Sequence, residues 1–274
     1  MEKIKTCVII CYWRGTSTRR LHQLLNQMLK IDAGTAYDLA IVCNGGDESP
    51  LVLPRKFDAL RAKIFNRENV GYNIMAWDFG WRSVGNYEYY LFLQDECFLK
   101  KTGWISEFEY RMEIDEGIGI LGEYIMWDNM SWPYIRQATD RDLGTSWYSG
   151  ESMHPIEFYQ NFLTKHNIPL TQLGSHVMCI ILFTKLTTLQ EINGFTNCIS
   201  YREAVSSEIG LSRLVASKGY RISYVKDERF VMIGHYQWIK HSPLTTSILS
   251  TIRHIKAHIK ANVIISKFVS LLKQ

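Results

Sequence analysis

The first half of the chain alternates between continuous apolar runs and amphipathic stretches. The runs from Lys5 to Tyr12 (KTCVIICY) and from Tyr37 to Cys43 (YDLAIVC) are typical of strands covered on both faces. Between them, apolar residues recur at the spacing of one helical face; these are Leu21, Leu24, Leu25, Met28 and Leu29. The pattern predicts a strand, a helix and a second strand.

The same alternation continues to residue 93. A short strand is predicted from Ala62 to Asn66, a helix from Ile74 to Val84, and a strand from Tyr87 to Leu93. An order of strand, helix, strand, strand, helix, strand predicts an α/β sheet. Such sheets bind ligands outside the carboxyl ends of their strands.

The second half is less regular. Asp128 to Ser152 is polar and aromatic without a clear period, which predicts a long loop or a mobile flap. The other predicted elements are strands at Ile118–Ile125, Val177–Phe183 and Arg221–Val225, and helices at Glu157–His166 and Ser206–Lys218, the last ended by Gly219.

Charge is concentrated at the end of the chain. The net charge is +4, from 31 basic and 27 acidic residues, and residues 244–274 carry five basic residues and no acidic one. The remaining body therefore has a charge of −1 (4 − 5), which argues against a nucleic-acid partner. Isoleucines in the tail recur at helical steps, so residues 244–274 are predicted to form a basic amphipathic helix. It would lie on an anionic membrane surface, or pack on the body or on a second copy of the chain in a homo-oligomer.

The six cysteines contain no CxxC pair, which argues against a zinc site and favours free thiols in a reducing compartment. The N-terminal apolar run has only six residues, too short for a signal peptide, and no run approaches a membrane span. We therefore expect a cytoplasmic protein, peripheral on the inner face of the membrane if the tail binds lipid.

Two acidic residues follow the strand that ends at Leu93. The segment LFLQDECFL places Gln94, Asp95 and Glu96 at the carboxyl end of an apolar strand. Carboxylates there point into the crevice, where they can hold a divalent cation together with a ligand's diphosphate. A solvated strand end is the alternative.

This segment resembles the "LFLNDDV-L" segment of family 2 inverting glycosyltransferases, which have the GT-A fold. Further segments resemble that family in the same order, over roughly residues 3 to 240: IVCNGGDES, NRENVGYNIMAWDFGW, EINGFTN, SEIGLSRLVASKGYRISYV and Gly234-His235. RENVGYN and YEYYLFLQDE are also similar to enzymes that add rhamnose to bacterial surface polysaccharides.

The resemblance implies a single GT-A (Rossmann-like) domain over residues 1–243 with a helical extension over 244–274. It implies transfer of a sugar, with inversion, from a UDP-, dTDP- or GDP-linked donor to a saccharide or lipid-linked acceptor in cell-surface polysaccharide synthesis. A metal ion, Mn²⁺ or Mg²⁺, would be bound by Glu96 with Asp95 and His235. Gln94 stands at the family's first acidic position and contributes no charge.

The resemblance also implies a catalytic base eleven residues before the glycine of GYRI. Counting back from Gly219 gives Glu208, with Ser207 at the family's preceding acidic position. Glu203, five residues upstream, is the second candidate. From the residues alone, Glu208 is equally a surface acid near a helix start.

The donor pocket implied by the resemblance is made by the ends of the first strands. Its predicted residues are Tyr12, Arg14, Asn44, Asp47, Arg67, Asn69, Gly71, Gln94 and Asp95. Five aromatic residues of the irregular segment either bind the acceptor or pack in the core; these are Trp127, Trp132, Tyr134, Trp147 and Tyr148.

Two other functions remain open at this point. The segment from Arg14 to Leu21 (RGTSTRRL) faintly resembles the phosphate-binding loop of sugar-nucleotide pyrophosphorylases. A non-catalytic carbohydrate-binding protein on the same fold is the other alternative, because Gln94 and Ser207 replace acidic residues.

Overall fold

The computed structural model describes residues 4–143 and 153–238. The strands in this part of the chain are β1 (Thr6–Trp13), β2 (Tyr37–Asn44), β3 (Lys63–Arg67), β4 (Tyr89–Gln94), β5 (Cys97–Leu99), β6 (Ile118–Gly122), β7 (Ile125–Met126), β8 (His176–Val177), β9 (Ile181–Lys185), β10 (Arg221–Tyr224) and β11 (Ile233–His235). The α-helices are α1 (Arg19–Met28), α2 (Tyr72–Val84), α3 (Ser106–Ile114), α4 (Trp132–Leu143), α5 (Pro155–Lys165), α6 (Leu186–Glu191) and α7 (Tyr201–Ser217). Short 3-10 helices lie at Arg55–Leu60 and Tyr236–Trp238.

A seven-stranded, mainly parallel sheet has the order β10-β6-β9-β4-β1-β2-β3. β1 pairs in parallel with β2 and β4, and β2 with β3, so these four strands end at the same edge. β9 runs antiparallel between β4 and β6. The pairs β5–β11 and β7–β8 form two small sheets beside it. The predicted α/β class is confirmed.

Each face of the sheet has its own hydrophobic core. Along β1, Val8, Ile10 and Tyr12 belong to the core shared with α1 and α3. Cys7, Ile9 and Cys11 belong to the core shared with α2 and α7. This alternation explains why β1 is apolar at every position from Cys7 to Tyr12.

Three predictions in the second half are wrong. The predicted strand Ile118–Ile125 ends at Gly122 as β6, and Ile125 begins β7, which belongs to a different sheet. Part of the segment from Asp128 to Ser152 is helix α4, whose Trp132 and Ile135 are buried against α5. Residues 144–152 lie outside the described part of the chain. The predicted strand Val177–Phe183 is two strands, β8 and β9, which belong to different sheets.

Contacts between residues divide the chain into a unit ending at Tyr236 and a second beginning at Gln237. Apart from Gln237 and Trp238, the second unit lies outside the described residues, and so does the predicted amphipathic helix at 244–274. Within the described residues, no helix is both long enough and apolar enough to cross a bilayer. All six cysteines are free and buried.

Candidate functional site

A cleft of about 690 Å³ opens where β1, β2 and β4 end. It is lined by Cys11, Tyr12, Trp13, Asn44, Asn69, Val70, Gly71, Tyr72, Asn73, Gln94, Asp95 and Ile199. Six of the nine residues predicted to bind the donor are among them: Tyr12, Asn44, Asn69, Gly71, Gln94 and Asp95. The structure therefore brings most of the predicted donor residues together at the carboxyl edge of the sheet.

The other three predicted donor residues are not among those that line the cleft. Arg14 donates hydrogen bonds to the backbone oxygen and hydroxyl of Ser49, and Asp47 is exposed. Arg67 contacts a residue that lines the cleft, because its Nη1 donates to Asn44 Oδ1 over 3.2 Å. Burial lowers the pKa of this guanidinium, but it remains a cation.

The turn just before α2 lines the cleft, and its conformation depends on Gly71. Gly71 has a φ of 76° and Tyr72 a φ of 58°, both in the left-handed region. A Cβ on Gly71 would overlap Met75 Cγ and lie 3.0 Å from the backbone oxygen of Cys198. Asn44 Nδ2 fixes the same turn by donating to the backbone oxygen of Tyr72 over 2.9 Å. The turn thus needs both the conformational freedom and the small size of glycine.

The backbone of Cys179, between β8 and β9, is tied to the cleft by two side-chain amides. Gln94 Nε2 and Asn73 Nδ2 both donate to the Cys179 backbone oxygen, over 3.0 Å and 2.6 Å. These bonds explain why the apolar stretch around Cys179 is not one continuous strand. Gln94 therefore has a structural contact that an acidic residue at this position, ionised near neutral pH, cannot make.

Asp95 and Glu96 differ in their surroundings. Asp95 is partly buried, and its backbone N–H donates to the Cys11 backbone oxygen over 3.1 Å. Burial, with a smaller contribution from the charge of Glu96, raises the pKa of Asp95 to about 7. The Glu96 side chain is half exposed. A cation bound beside Asp95 would lower its pKa again by favouring the charged form.

His235, on β11, lies beside this pair of acids. Its Nε2 is 3.1 Å from Gln94 Oε1 and 4.0 Å from Glu96 Oε2. The Gln94 amide nitrogen donates to the Cys179 carbonyl, so the amide oxygen faces His235. Because an amide oxygen only accepts hydrogen bonds, His235 Nε2 must carry the hydrogen. Burial lowers the pKa of His235 to about 4, so the ring is neutral near neutral pH. In this arrangement Nε2 offers no lone pair to a metal ion.

The predicted metal ligands are Glu96, Asp95 and His235. Among the described residues, no group of three or more His, Cys, Asp and Glu side chains is placed to hold a metal ion. Asp95 and Glu96 can supply carboxylate oxygens to a cation that takes its other ligands from a diphosphate and water, as Mg²⁺ commonly does. The residues fit a cation that arrives with a substrate rather than a resident one.

Glu208 lies in the middle of α7, because the helix begins at Tyr201, earlier than predicted. Its Oε2 accepts a hydrogen bond from the Cys179 backbone N–H over 2.6 Å. Its Oε1 is 3.2 Å from His176 Nε2. Since the carbonyl of Cys179 binds Gln94, a single residue connects the cleft to Glu208.

Glu203, the second candidate base, closes the start of α7. Its Oε2 accepts from the backbone N–H of Ile199 over 2.8 Å, and its own N–H donates to Ser200 Oγ over 3.2 Å. Ser200 is the N-cap of α7, and Glu203 accepts from the residue before it, so the two bonds form a variant of the capping box that accounts for an acid at this position.

The sequence did not single out His176 or Asn73. His176 is a lone polar residue at the start of an apolar stretch, and Asn73 is a polar residue in the first turn of α2. A histidine at the start of a buried strand indicates that its ring has a polar partner. The sequence does not identify that partner, Glu208, which is 32 residues away (208 − 176).

Of the aromatic residues in the irregular segment, Trp132 is buried and Tyr134 is exposed. The Trp127 ring lies edge-on to the His176 ring, with centroids 5.0 Å apart. Trp147 and Tyr148 lie outside the described residues.

The segment from Arg14 to Leu21 begins in a turn, in which the Thr16 N–H donates to the Trp13 backbone oxygen.

Neither a scan of protein-family models nor a search of curated protein sequences gave a match. The chain is similar to solved structures of glycosyltransferases. One is a mannosyltransferase from Pyrobaculum calidifontis in complex with GDP-mannose and Mn²⁺, 11% identical with a TM-score of 0.49, covering 82% of this chain and 56% of that one. Another is TarS residues 1–349 from S. aureus, 13% identical with a TM-score of 0.48, covering 82% and 59%. The same TarS fragment with UDP is 14% identical with a TM-score of 0.47, again covering 82% and 59%. This chain thus spans between 56% and 59% of the length of these solved chains.

Proposed function

We propose that this protein is an inverting glycosyltransferase with a GT-A-type domain. It transfers a hexose or rhamnose from a nucleotide sugar to a saccharide or lipid-linked saccharide, in the synthesis of a cell-surface polysaccharide. The observation that carries the proposal is the position of Cys179. Its carbonyl binds Gln94 at the cleft, and its amide binds the carboxylate of Glu208.

The cleft suits the nucleotide end of such a donor. Asn69 supplies an exposed amide group and Trp13 supplies exposed aromatic surface, while the buried Tyr12 and Asn44 shape the wall of the cleft. Amide groups pair with the hydrogen-bonding edges of a base or ribose, and aromatic rings stack on planar bases. UDP-, dTDP- and GDP-sugars are the donors to test.

Glu208 supplies the base of the proposed reaction. The acceptor oxygen attacks the anomeric carbon from the face opposite the diphosphate, the bond from that carbon to the diphosphate oxygen breaks, and the diphosphate leaves with the electron pair. The hydroxyl proton of the acceptor goes to the Glu208 carboxylate. Asp95 and Glu96 would hold a divalent cation that, when bound, stabilises the negative charge of the departing diphosphate.

The experiment is a screen of UDP-, dTDP- and GDP-sugars, with and without Mn²⁺ or Mg²⁺, that measures thermal stabilisation and release of nucleoside diphosphate. A ligand that binds only the folded protein raises its melting temperature. We expect one nucleotide class to stabilise the protein and to be turned over. The anomeric coupling constant of the product then tests inversion.

Two variants distinguish loss of the proposed base from an unspecific effect of changing a glutamate to glutamine. Glu208→Gln should keep nucleotide binding and lose transfer by roughly 10²–10⁴-fold, the usual contribution of a general base. Glu157→Gln makes the same change at an exposed position on α5 and should have no effect. Nucleotide binding without turnover would favour a carbohydrate-binding protein, and release of pyrophosphate would favour a pyrophosphorylase.

A further inference from the structure

His176 is fixed in position and in protonation at one of its nitrogens. The residue is buried, and its Nδ1 lies 3.0 Å from the backbone oxygen of Gly174. A carbonyl oxygen only accepts hydrogen bonds, so Nδ1 carries a hydrogen. The edge-on contact with Trp127 and this bond together set the direction of the other nitrogen, Nε2.

Nε2 points at Glu208, at a distance that suits a hydrogen bond. Two arrangements satisfy the 3.2 Å distance between His176 Nε2 and Glu208 Oε1: an imidazolium beside a carboxylate, or an imidazole beside a carboxylic acid. Both place one proton between the two atoms. Without it, a nitrogen lone pair faces a carboxylate oxygen, and the two repel. A proton shared between Nε2 and Oε1 removes this repulsion.

We propose that Glu208 and His176 act as one proton-accepting pair, in which His176 is a positioning residue that strengthens Glu208 as a base. This inference rests on the proposed glycosyl transfer. The reactive form has lost the shared proton. Glu208 then takes the acceptor's hydroxyl proton as the acceptor oxygen bonds to the sugar carbon and the diphosphate leaves with the electron pair of the broken bond. The captured proton lies between Oε1 and Nε2 and returns to water after the product leaves.

The other titratable groups around the pair keep their charge near neutral pH. Burial raises the pKa of Tyr159, on α5, to about 12, and raises the pKa of the Cys179 thiol well above its usual value. Arg213, on α7, donates to the backbone oxygens of Leu173 and Ser175, next to His176. Burial lowers the pKa of Arg213 to about 10, so it stays a cation. Its positive charge opposes proton uptake, but it does not titrate together with the pair.

The first test is the pH profile of kcat for His176→Phe, which keeps a ring against Trp127 and removes both nitrogens. The acid limb should move to lower pH by about one pH unit or more, and the rate at neutral pH should fall about tenfold or more, because a weaker base accepts the proton less readily. KM for the nucleotide sugar should stay within about twofold, because His176 does not line the cleft. Tyr159→Phe removes a hydroxyl from the same cluster and should leave the limb in place.

His176→Gln covers the case in which the phenylalanine variant does not fold. Its amide can donate to Glu208 but cannot take up a proton, so the acid limb should again move to lower pH. An acid limb that coincides with that of the wild type in a folded His176 variant would overturn the proposal.

The second test does not depend on turnover. Nitrogen-15 NMR of the histidine side chains, with His176 assigned by the loss of its signal in His176→Phe, should show Nδ1 protonated throughout and Nε2 exchanging one proton. Glu208→Gln should shift that transition. If it does and no nucleotide sugar is turned over, the pair exists and the proposed function is wrong. If transfer occurs and Glu208→Gln leaves the His176 signal unchanged, the pair is refuted while the function stands.

Discussion

Asp95 is the acid of the cleft whose position is set most directly by the sheet. It follows the last residue of β4, and its backbone N–H donates to Cys11 on the neighbouring strand β1. Two strands therefore hold this carboxyl group at the mouth of the cleft. The chemistry of the proposed donor site depends on its charge.

We predict that Asp95→Asn lowers nucleotide-sugar turnover at least tenfold, a loss of about 1.4 kcal/mol of transition-state stabilisation. The amide keeps the shape of the side chain and removes the charge that would hold a cation beside the diphosphate. Release of nucleoside diphosphate measures the effect. Glu88→Gln changes an exposed acid just before β4 begins, at the opposite end of that strand, and should leave turnover unchanged. Equal turnover by folded Asp95→Asn and the wild type would remove Asp95 from the mechanism.

Gly71 allows a prediction about stability. Gly71→Ala brings a strained left-handed backbone, which costs about 1–2 kcal/mol, together with overlap of the new Cβ with Met75 and Cys198. Gly219 also has a positive φ, of 86°, but no heavy atom lies within 4 Å of its would-be Cβ. Gly219→Ala therefore measures the strain alone. Urea unfolding should show a larger loss of stability for Gly71→Ala, and equal losses would contradict the close approach.

At the scale of elements, β11 is held by a buried carboxylate. Glu123, just after β6, is fully buried. Its Oε1 accepts from the backbone N–H groups of Met232 and Ile233 over 2.9 Å and 2.7 Å, and its Oε2 accepts from Val231 over 2.7 Å. These bonds fix β11, the strand that places His235 next to Gln94.

Glu123→Gln should destabilise the protein by about 1–3 kcal/mol, because an amide cannot satisfy all three buried N–H donors. Amide hydrogen exchange at Ile233 and His235 should accelerate more than exchange in β1. Glu113→Gln serves as control, since it breaks a pair with Lys5 whose side chains are both over 40% exposed. A variant with unchanged exchange in β11 would show that Glu123 does not hold the strand.

The same group predicts a dependence on pH. Burial raises the pKa of Glu123 to about 7 against the opposing effect of the three N–H donors. The folded state therefore binds its proton more tightly than the unfolded chain, and this contribution to stability is lost as pH rises from about 4.5 to about 7. The loss of stability in Glu123→Gln should thus be larger at about pH 5 than at about pH 8 in urea unfolding. The reverse order would mean that the three N–H groups outweigh burial.

The elements that the sequence predicted well are those whose local pattern decides their structure. The central residues of β1, β2 and β4 are apolar because both faces of the sheet are covered. α4 was missed because few of its residues face the core, Trp132 and Ile135 among them. The break between β8 and β9 was missed because its hydrogen-bond partners, Asn73 and Gln94, are distant in sequence.

The candidate site follows the same division. Strand ends such as Asn44 and Asp95 could be placed at the cleft from the order of strands alone. The contact of His176 with Glu208 could not, because it depends on how α7 packs against β8. The family resemblance proposed Glu208 as the base, and three-dimensional packing shows the group that faces it.

At the scale of the whole molecule, the tail is tested best by removing it. Residues 244–274 carry five cationic side chains and no acid, and each is worth about 1 kcal/mol near an anionic lipid surface. We predict that the full chain binds vesicles containing anionic lipid, that added salt weakens the binding, and that a chain ending at Pro243 no longer binds. The shortened chain should still turn over nucleotide sugar. Equal vesicle binding by both forms would place the contact elsewhere.

The six unpaired cysteines allow the local opening of the folded protein to be measured. They are spread over β1, β2, β5, the stretch between β8 and β9, and the loop before α7, and all are buried. A thiol reagent reacts with the exposed thiolate, and burial holds the pKa of Cys7 and of Cys198 at about 12. Modification therefore has to wait for each element to open. The order in which the cysteine-containing peptides gain mass gives the order in which the elements open, and Cys11, which lines the cleft, is the one that a bound nucleotide would shield.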